Sequence, residues 1–197
     1  MTTWAIVPLK AVPEAKRRLR GVLSDDERQH LVVWMFRRVL AALDASPGID
    51  RIAVVGADRA LVPAAGRFIA DPGRGLNAAL AHALSAVCED GARSALIVPA
   101  DVPLIAADDV AALLDAGGRT AIVPDRARAG TNALLMTPPD RFRPNFGPGS
   151  FDRHRDAAGD AIVPDLPRIM LDIDDADALD ALRREGVTPP TLEPAAT

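Results

Sequence analysis

The sequence predicts an α/β domain built on a largely parallel sheet flanked by helices, and three observations carry that reading. Short β-branched runs alternate with Ala- and Leu-rich stretches of helical periodicity through the first two thirds of the chain. Most of the strand candidates are near-continuous apolar runs, as strands covered on both faces should be. The chain has 197 residues, 49% of them hydrophobic and 25% charged, which suffices for one buried core without a disulfide staple. Residues 1–186 read as a single domain. Residues 187–197 hold three prolines and little to bury, so they are expected to form a flexible tail.

Taken in order, strands are expected at 4–8, 51–56, 67–70, 94–99 and 120–124. The best-marked helix spans 25–44, where Ser24 and Glu27 have capping-box spacing and Val32, Phe36, Val39 and Leu43 recur on one face. A second helix follows Gly75, with Leu76, Leu80, Leu84 and Val87 aligned. A third covers 107–116 and stops at Gly117-Gly118. Beyond Pro124 the rhythm changes to a strand at 132–137, a Pro/Gly-rich stretch, a strand at 168–173 and a helix at 176–184, so the sheet becomes mixed there.

Composition removes several function classes. A net charge of −4 leaves no broad basic field for a polyanion, and with 4% aromatic residues and no Tyr there are few platforms for stacking nucleobases. No run approaches the ~20 apolar residues a bilayer demands, and the opening residues lack the basic and apolar pattern of an export leader. A cytoplasmic location is expected. The single cysteine, Cys88, cannot form an internal bridge and reads as a buried structural thiol. His30 and His82 read as helix-surface residues. His154, between Arg153 and Arg155, reads as part of a solvated basic face that could alternatively meet an anion.

In open α/β sheets ligands gather at the carboxyl ends of the strands. Collecting the residues there gives Lys10, Lys16 and Arg18 after the first strand, Asp101 after the fourth, and Asp172 and Asp174 at the end of 168–173. Residues two apart on a strand share a face, so Asp172 and Asp174 should project together, with Asp101 joining from a neighbour. Such a trio suits Mg²⁺ beside phosphate, although Asp is also an ordinary turn residue. Two loops offer anion cradles. Arg74-Gly75-Leu76-Asn77 turns into a helix, and Phe146-Gly147-Pro148-Gly149-Ser150-Phe151 places Ser150 as an N-cap after two glycines. A plain turn explains the first loop better and the second nearly as well. Gly130-Thr131-Asn132 adds a hydroxyl and an amide at the same edge. No Gly-x-Ser-x-Gly elbow and no Walker-type phosphate loop is present. What remains is chemistry that needs metal, cations and anion cradles but no protein nucleophile, a description that nucleotidyl transfer meets.

Over nearly its whole length the sequence resembles the guanylyltransferases of coenzyme F420 biosynthesis. The residues that carry the resemblance are Trp4 to Lys10, Ala15 to Leu19, Pro99 to Pro103, Gly130 to Leu135, Phe146 to His154 and Leu171 to Asp174. The resemblance implies a Rossmann-like fold of the nucleotide-diphospho-sugar-transferase type, spanning 1–186 as one nucleotidyltransferase domain. It implies Mg²⁺ held by Asp101, Asp172 and Asp174, with Lys10, Lys16 and Arg18 on the phosphates of GTP and Lys10, Lys16 and Asp101 serving catalysis. Thr131, Gly147 and Ser150 would grip the acceptor, and Gly75 and Asn77 would belong to the nucleoside pocket. The implied acceptor is a phosphorylated three-carbon acid: phosphoenolpyruvate, 3-phospho-D-glycerate or 2-phospho-L-lactate. A separate downstream transferase would consume the product. One departure is Arg126-Ala-Arg128-Ala129, which stands where the family carries a more glycine-rich approach and leaves that loop's rigidity open. The enzyme alternative is a molybdenum-cofactor or sugar-phosphate nucleotidyltransferase, but Pro8-Leu9-Lys10-Ala11 stands where such enzymes carry a Leu-Ala-Gly-Gly-type loop. A non-catalytic GTP-binding sensor is the alternative of another class.

Overall fold

The computed structural model describes residues 2–56, 58–116 and 118–190. Its strands are β1 (Thr3–Leu9), β2 (Arg51–Gly56), β3 (Arg67–Ala70), β4 (Ser94–Ile97), β5 (Ala121–Pro124) and β6 (Thr131–Met136), and they form one sheet in the order β3-β2-β1-β4-β6-β5. Pairing is parallel from β3 through β4, while β6 runs antiparallel to both of its neighbours. The expected mixed sheet is therefore present, with the reversal confined to one strand.

The helices are α1 (Asp25–Asp44), α2 (Leu76–Glu89), α3 (Ala107–Leu114), α4 (Ser150–Ala158), α5 (Pro167–Met170) and α6 (Ala176–Arg184). The capping box at α1 forms as its spacing predicts, with Ser24 and Glu27 bonding each other's backbone amides. Both faces of the sheet are covered. Ala5, Val7 and Leu9 of β1 pack with Leu31, Met35, Phe36 and Val39 of α1, whereas Trp4 and Ile6 pack with Leu80, Leu84 and Val87 of α2. A strand buried on both sides has no polar face to display, which explains the unbroken apolar run. No helix among the described residues is long and apolar enough to cross a membrane.

One expected strand is absent. Residues 168–173 divide into the single turn α5 and an extended stretch that joins no ladder. Pro167 starts the turn, where its missing N–H costs nothing. Side chains nevertheless alternate there, since Ile169, Leu171 and Ile173 are buried while Met170, Asp172 and Asp174 are more exposed. The buried side chains go into the α1-side core. The segment is tied down by the Ile173 amide, which donates to the Asp101 carbonyl at 3.0 Å. Cys88 is a second difference: it lies on α2 as expected but is half-buried. Val187 packs against the α1-side core. The rest of the expected tail from Leu192 onward, with Thr191, lies outside the described residues.

Chain order along the sheet reverses between β1 and β4, so a crevice opens beyond their carboxyl ends. Antiparallel β6 brings its amino end, Thr131 and Asn132, to that same edge. The loop after β1 reaches over it in short 3-10 turns. Arg28 of α1 fastens this loop from below, buried and donating from Nη1 to the Ala15 carbonyl at 2.9 Å.

Candidate active site

A cavity of about 370 Å³ occupies the crevice, within the size range of small-molecule sites. Pro8, Leu9 and Lys10 from β1 and its loop, Val55 from β2 and Pro99 to Asp101 after β4 form its floor, and Gly75, Leu76 and Phe146 its far wall. Leu76 is a large hydrophobic side chain left 46% exposed, and it faces this cavity. Gly75 caps α2 at φ +88°, a left-handed conformation that suits glycine, and starts the helix at the cavity wall.

Lys16 lies on the opposite wall and organises the polar side. It adopts φ +53°, a conformation uncommon for a residue with a side chain, and its side chain is 9% exposed. Nζ donates to Asp101 Oδ2 and to Asp174 Oδ1, each at 2.6 Å. Burial disfavours the Lys16 charge, but Asp101 and Asp174 outweigh it and raise the pKa above 10.5. At Asp174 burial likewise opposes the charge, while Lys16 and the exposed Arg18 prevail and hold its pKa below 3.8. Asp172 behaves differently. Burial raises its pKa above 3.8 against the hydrogen bond from Asn132, and the charges of Asp101 and Asp174 push it the same way as burial. Asn132 Nδ2 reaches Asp172 Oδ1 at 3.1 Å and the Ile169 carbonyl at 3.0 Å.

Lys16 bridges Asp101 and Asp174, and Asp172 lies close enough to feel the charge of both. Among the described residues no three acidic, His or Cys side chains are gathered as a ready-made cage for an ion. Asp172 and Asp174 share a side through an extended segment outside the sheet, a correction to the strand expected there.

The second polar centre lies where β6 begins. Thr131 Oγ1 meets His154 Nδ1 at 3.0 Å and accepts from Ser150 Oγ at 3.2 Å. Ser150 is not the N-cap. Gly149 caps α4 at φ +73°, and Ser150 is the first helical residue, fully buried beneath Thr131. Gly147 is exposed at φ +118°, and its amide and that of Gly149 make no hydrogen bond among the described residues. The loop is braced by Arg153, which donates to the carbonyls of Pro148 at 2.8 Å and Asn145 at 3.1 Å. It is also held by Asn77, whose amide accepts from the Phe146 amide at 2.7 Å and donates to the Phe146 carbonyl at 3.0 Å. Asn77 therefore spends its side chain on the loop rather than lining the cavity. The basic approach to Gly130 is not loose. Asp125 accepts from the amides of Ala129 at 2.9 Å and Gly130 at 2.7 Å, and Arg128 lies over the Phe151 ring at 4.8 Å.

Four contributors have roles that the sequence does not disclose, and two of them, Asp71 and Asn145, are not singled out by it at all. Asp71 lines the cavity after β3, where the strand-end rule could have found it. Asn132, read from the sequence only as an amide at this edge, Asn145 and buried His154 act through partners distant in sequence, and no local spacing announces those partners. His154 in particular lies inside α4's packed face, not on a solvated basic one.

Comparison with known proteins converges on one group. A family model described as "Guanylyl transferase CofC like" matches residues 3–186. The phosphoenolpyruvate guanylyltransferase of Rubrobacter xylanophilus is 42% identical over 199 aligned residues, covering 94% of this chain and 96% of that protein. The protein of the same name from Roseiflexus castenholzii is 43% identical over 188 residues, covering 91% and 87%. Among solved structures, a Desulfovibrio desulfuricans protein named for the nucleotide-diphospho-sugar transferases superposes with a TM-score of 0.74 at 19% identity, covering 99% of this chain and 92% of its own. The 4-diphosphocytidyl-2C-methyl-D-erythritol synthase of Anaerococcus prevotii gives 0.66 at 10% identity, covering 94% and 96%. At such identities these two structures speak to the fold, which is the nucleotide-diphospho-sugar-transferase type.

Proposed function

The chain belongs to the CofC-like guanylyl transferase family, and from that premise we propose that it transfers GMP from GTP to phosphoenolpyruvate, releasing pyrophosphate, in coenzyme F420 biosynthesis. The observation that carries this reading is the placement of a cationic and acidic cluster, Lys16 with Asp101 and Asp174, between an open cavity at the sheet's switch point and the glycine loop beside Thr131. The apolar cavity with Leu76, Val55 and Phe146 suits a nucleoside, and Lys10 and Lys16 on its rim suit the triphosphate. Thr131, the free amides of Gly147 and Gly149 and the start of α4 suit the acceptor's carboxylate and phosphate. Relatives sharing about two fifths of the sequence are named for phosphoenolpyruvate, which favours it over 3-phospho-D-glycerate and 2-phospho-L-lactate.

The reaction asks little covalent work of the protein. An oxygen of the acceptor phosphate, already ionised near neutral pH, attacks the α-phosphorus of GTP. The new P–O bond forms as the bond to the pyrophosphate oxygen breaks, and no proton need move. Catalysis is then alignment and charge offset. Lys16 supplies one positive charge fixed by its two carboxylates. Asp101 and Asp174 each use one oxygen on Lys16 and keep the other without a hydrogen bond among the described residues. Mg²⁺ commonly takes one or two carboxylates and completes its shell with water and phosphate oxygens, so this donor set fits it. Asp101 and Asp174, with Asp172 behind them, would hold it, and when bound it would offset the negative charge of the reacting phosphates.

The deciding experiment incubates purified protein with GTP, Mg²⁺ and each of the three acids in turn and measures pyrophosphate release. A coupled phospho-acid transferase acting on a deazaflavin precursor captures the labile product. Release dependent on phosphoenolpyruvate and abolished by EDTA is expected, with Asp101→Asn and Asp174→Asn losing at least ~100-fold in turnover while staying folded. Binding of GTP without release for any acid would point to a sensor instead. Full activity in EDTA would remove the metal.

A further inference from the structure

Beneath the glycine loop lies a buried titratable group that the reaction described above does not use. His154 is 1% exposed. Its Nε2 stands 2.9 Å from the Asn145 amide, which can only donate, so Nε2 accepts and the ring proton belongs on Nδ1. Nδ1–H is then the donor in the 3.0 Å contact with Thr131 Oγ1. Ser150 Oγ donates to that same oxygen at 3.2 Å. A hydroxyl has two lone pairs and one proton. With both lone pairs of Thr131 occupied, its O–H is left as a donor, and it has no acceptor among the described residues. Phe146 packs edge-on against the imidazole with centroids 4.9 Å apart, and Phe142 flanks it at 6.1 Å, which holds the ring's orientation. Burial, and then the charge of Arg153, bring the His154 pKa to about 4, so the ring is neutral across the physiological range and keeps this pattern.

We propose that His154 is a positioning residue, locking the Thr131 hydroxyl as a donor aimed at an anionic oxygen of the acceptor acid. The proposal rests on the reading above that the acceptor lies beside Thr131. It assigns the specificity for an anion to a hydroxyl whose direction is dictated from within the core. Such an arrangement accepts a carboxylate or phosphate oxygen and disfavours a group that must itself donate.

The test uses the full chain and varies GTP and phosphoenolpyruvate separately. His154→Asn can place an amide donor near the position of Nδ1 but cannot reach the Asn145 amide. His154→Gln can accept from Asn145 but no longer donates to Thr131. The expected result is that His154→Gln raises the phosphoenolpyruvate KM about tenfold, equivalent to about 1.4 kcal/mol, with the GTP KM and Tm near wild type. His154→Asn should stay within about threefold on the same KM. Thr131→Val should raise it at least as far as His154→Gln does, and the double variant Thr131→Val/His154→Gln should be no worse than Thr131→Val alone. If His154→Gln leaves the acceptor KM unchanged while Thr131→Val raises it, or if the two effects add, His154 does not act through Thr131. Equal rises in both KM values that track a fall in Tm would make the histidine a packing residue only. If Thr131→Val itself leaves the acceptor KM unchanged, the acceptor does not lie there and the underlying placement is what fails.

Discussion

Lys16→Met replaces the ammonium between Asp101 and Asp174 by an apolar group of similar length, and the structure fixes what that should cost. Both N–O contacts are 2.6 Å, while the side-chain exposures are 9% for Lys16, 27% for Asp101 and 51% for Asp174. Breaking a fully buried pair costs about 3–5 kcal/mol, whereas an exposed pair is worth under about 1 kcal/mol. The Asp101 contact lies nearer the first case and the Asp174 contact nearer the second, so a loss of about 2–3 kcal/mol is expected. In a domain of this size about 1 kcal/mol moves Tm by roughly 2–4 °C, which predicts a fall of about 5–10 °C. The pH dependence carries a definite sign. Asp174, depressed in the folded state, lends stability above pH 3.8 and loses it as pH falls through its lower folded value. Lys16, raised, lends stability below pH 10.5 and loses it as pH climbs through its higher folded value. The gap between wild type and variant should therefore stay level between those limits and close outside them. Thermal melts from acid to alkaline pH measure it, and adding Asp101→Asn and Asp174→Asn to Lys16→Met should recover much of the loss by removing the unpaired charges. A Tm within 1 °C of wild type at pH 7, or costs that simply add, would refute the account.

Two further outcomes follow from neighbouring groups. Asp172 is a half-buried carboxylate whose folded pKa is raised, so its ionisation costs stability above that value and the cost is absent below pH 3.8. Asp172→Asn keeps an oxygen for Asn132 and should stabilise the protein at pH 7 by about 0.5–1 kcal/mol, the gain vanishing in acid melts; a destabilised variant at pH 7 would contradict it. Asn77→Ala removes both hydrogen bonds to the Phe146 backbone, so amide hydrogen exchange at Phe146 should accelerate about tenfold or more while β1 exchange is unchanged. Unaltered exchange at Phe146 would show that the loop is held by Arg153 alone.

The parallel part of the fold was legible because two-sided burial writes itself into sequence as uninterrupted apolar runs, as at 51–56, which matches β2 to the residue; 67–70 matches β3 as well, although at that edge of the sheet only Ile69 is buried. The strand expected at 168–173 did not form. Alternation reports which side chains are buried, and Ile169, Leu171 and Ile173 are buried, but it is silent on whether the backbone pairs with a ladder or, as here, ties itself to a loop through the Ile173 amide. Lys10 and Asp101, which line the cavity, were legible by position because each comes after a strand. Ser150 was legible as part of the loop but its role was not, because a serine just after a glycine turn suits N-cap and first helical position alike, and only the left-handed Gly149 decides. His154 was illegible because flanking arginines advertise a wet face. A helix shows its residues to different sides every 100° or so, and Arg153 and Arg155 point away from the direction in which His154 is buried.

The charge distribution gives the site its internal logic. The chain as a whole carries −4, yet residues 10–20 hold five cations, Lys10, Lys16, Arg17, Arg18 and Arg20, against Glu14 alone. Across the crevice lie Asp101, Asp172 and Asp174. The two sides attract, and Lys16 is the point at which they meet. A triphosphate approaching this crevice is drawn by the basic loop and repelled by the acidic trio. Lys16 has three N–H donors and spends two of them on Asp101 and Asp174, so one remains for phosphate and every further hydrogen bond it gives there is taken from a carboxylate. An accompanying divalent cation would resolve the competition by satisfying the carboxylates that Lys16 releases. On this argument Mg²⁺ and nucleotide should bind with positive coupling in the wild type, and the coupling should shrink in Lys16→Met, where there is no ammonium to share. Calorimetric titration of GTP at fixed Mg²⁺ levels measures that difference, and identical coupling in the two proteins would show that Lys16 does not exchange partners.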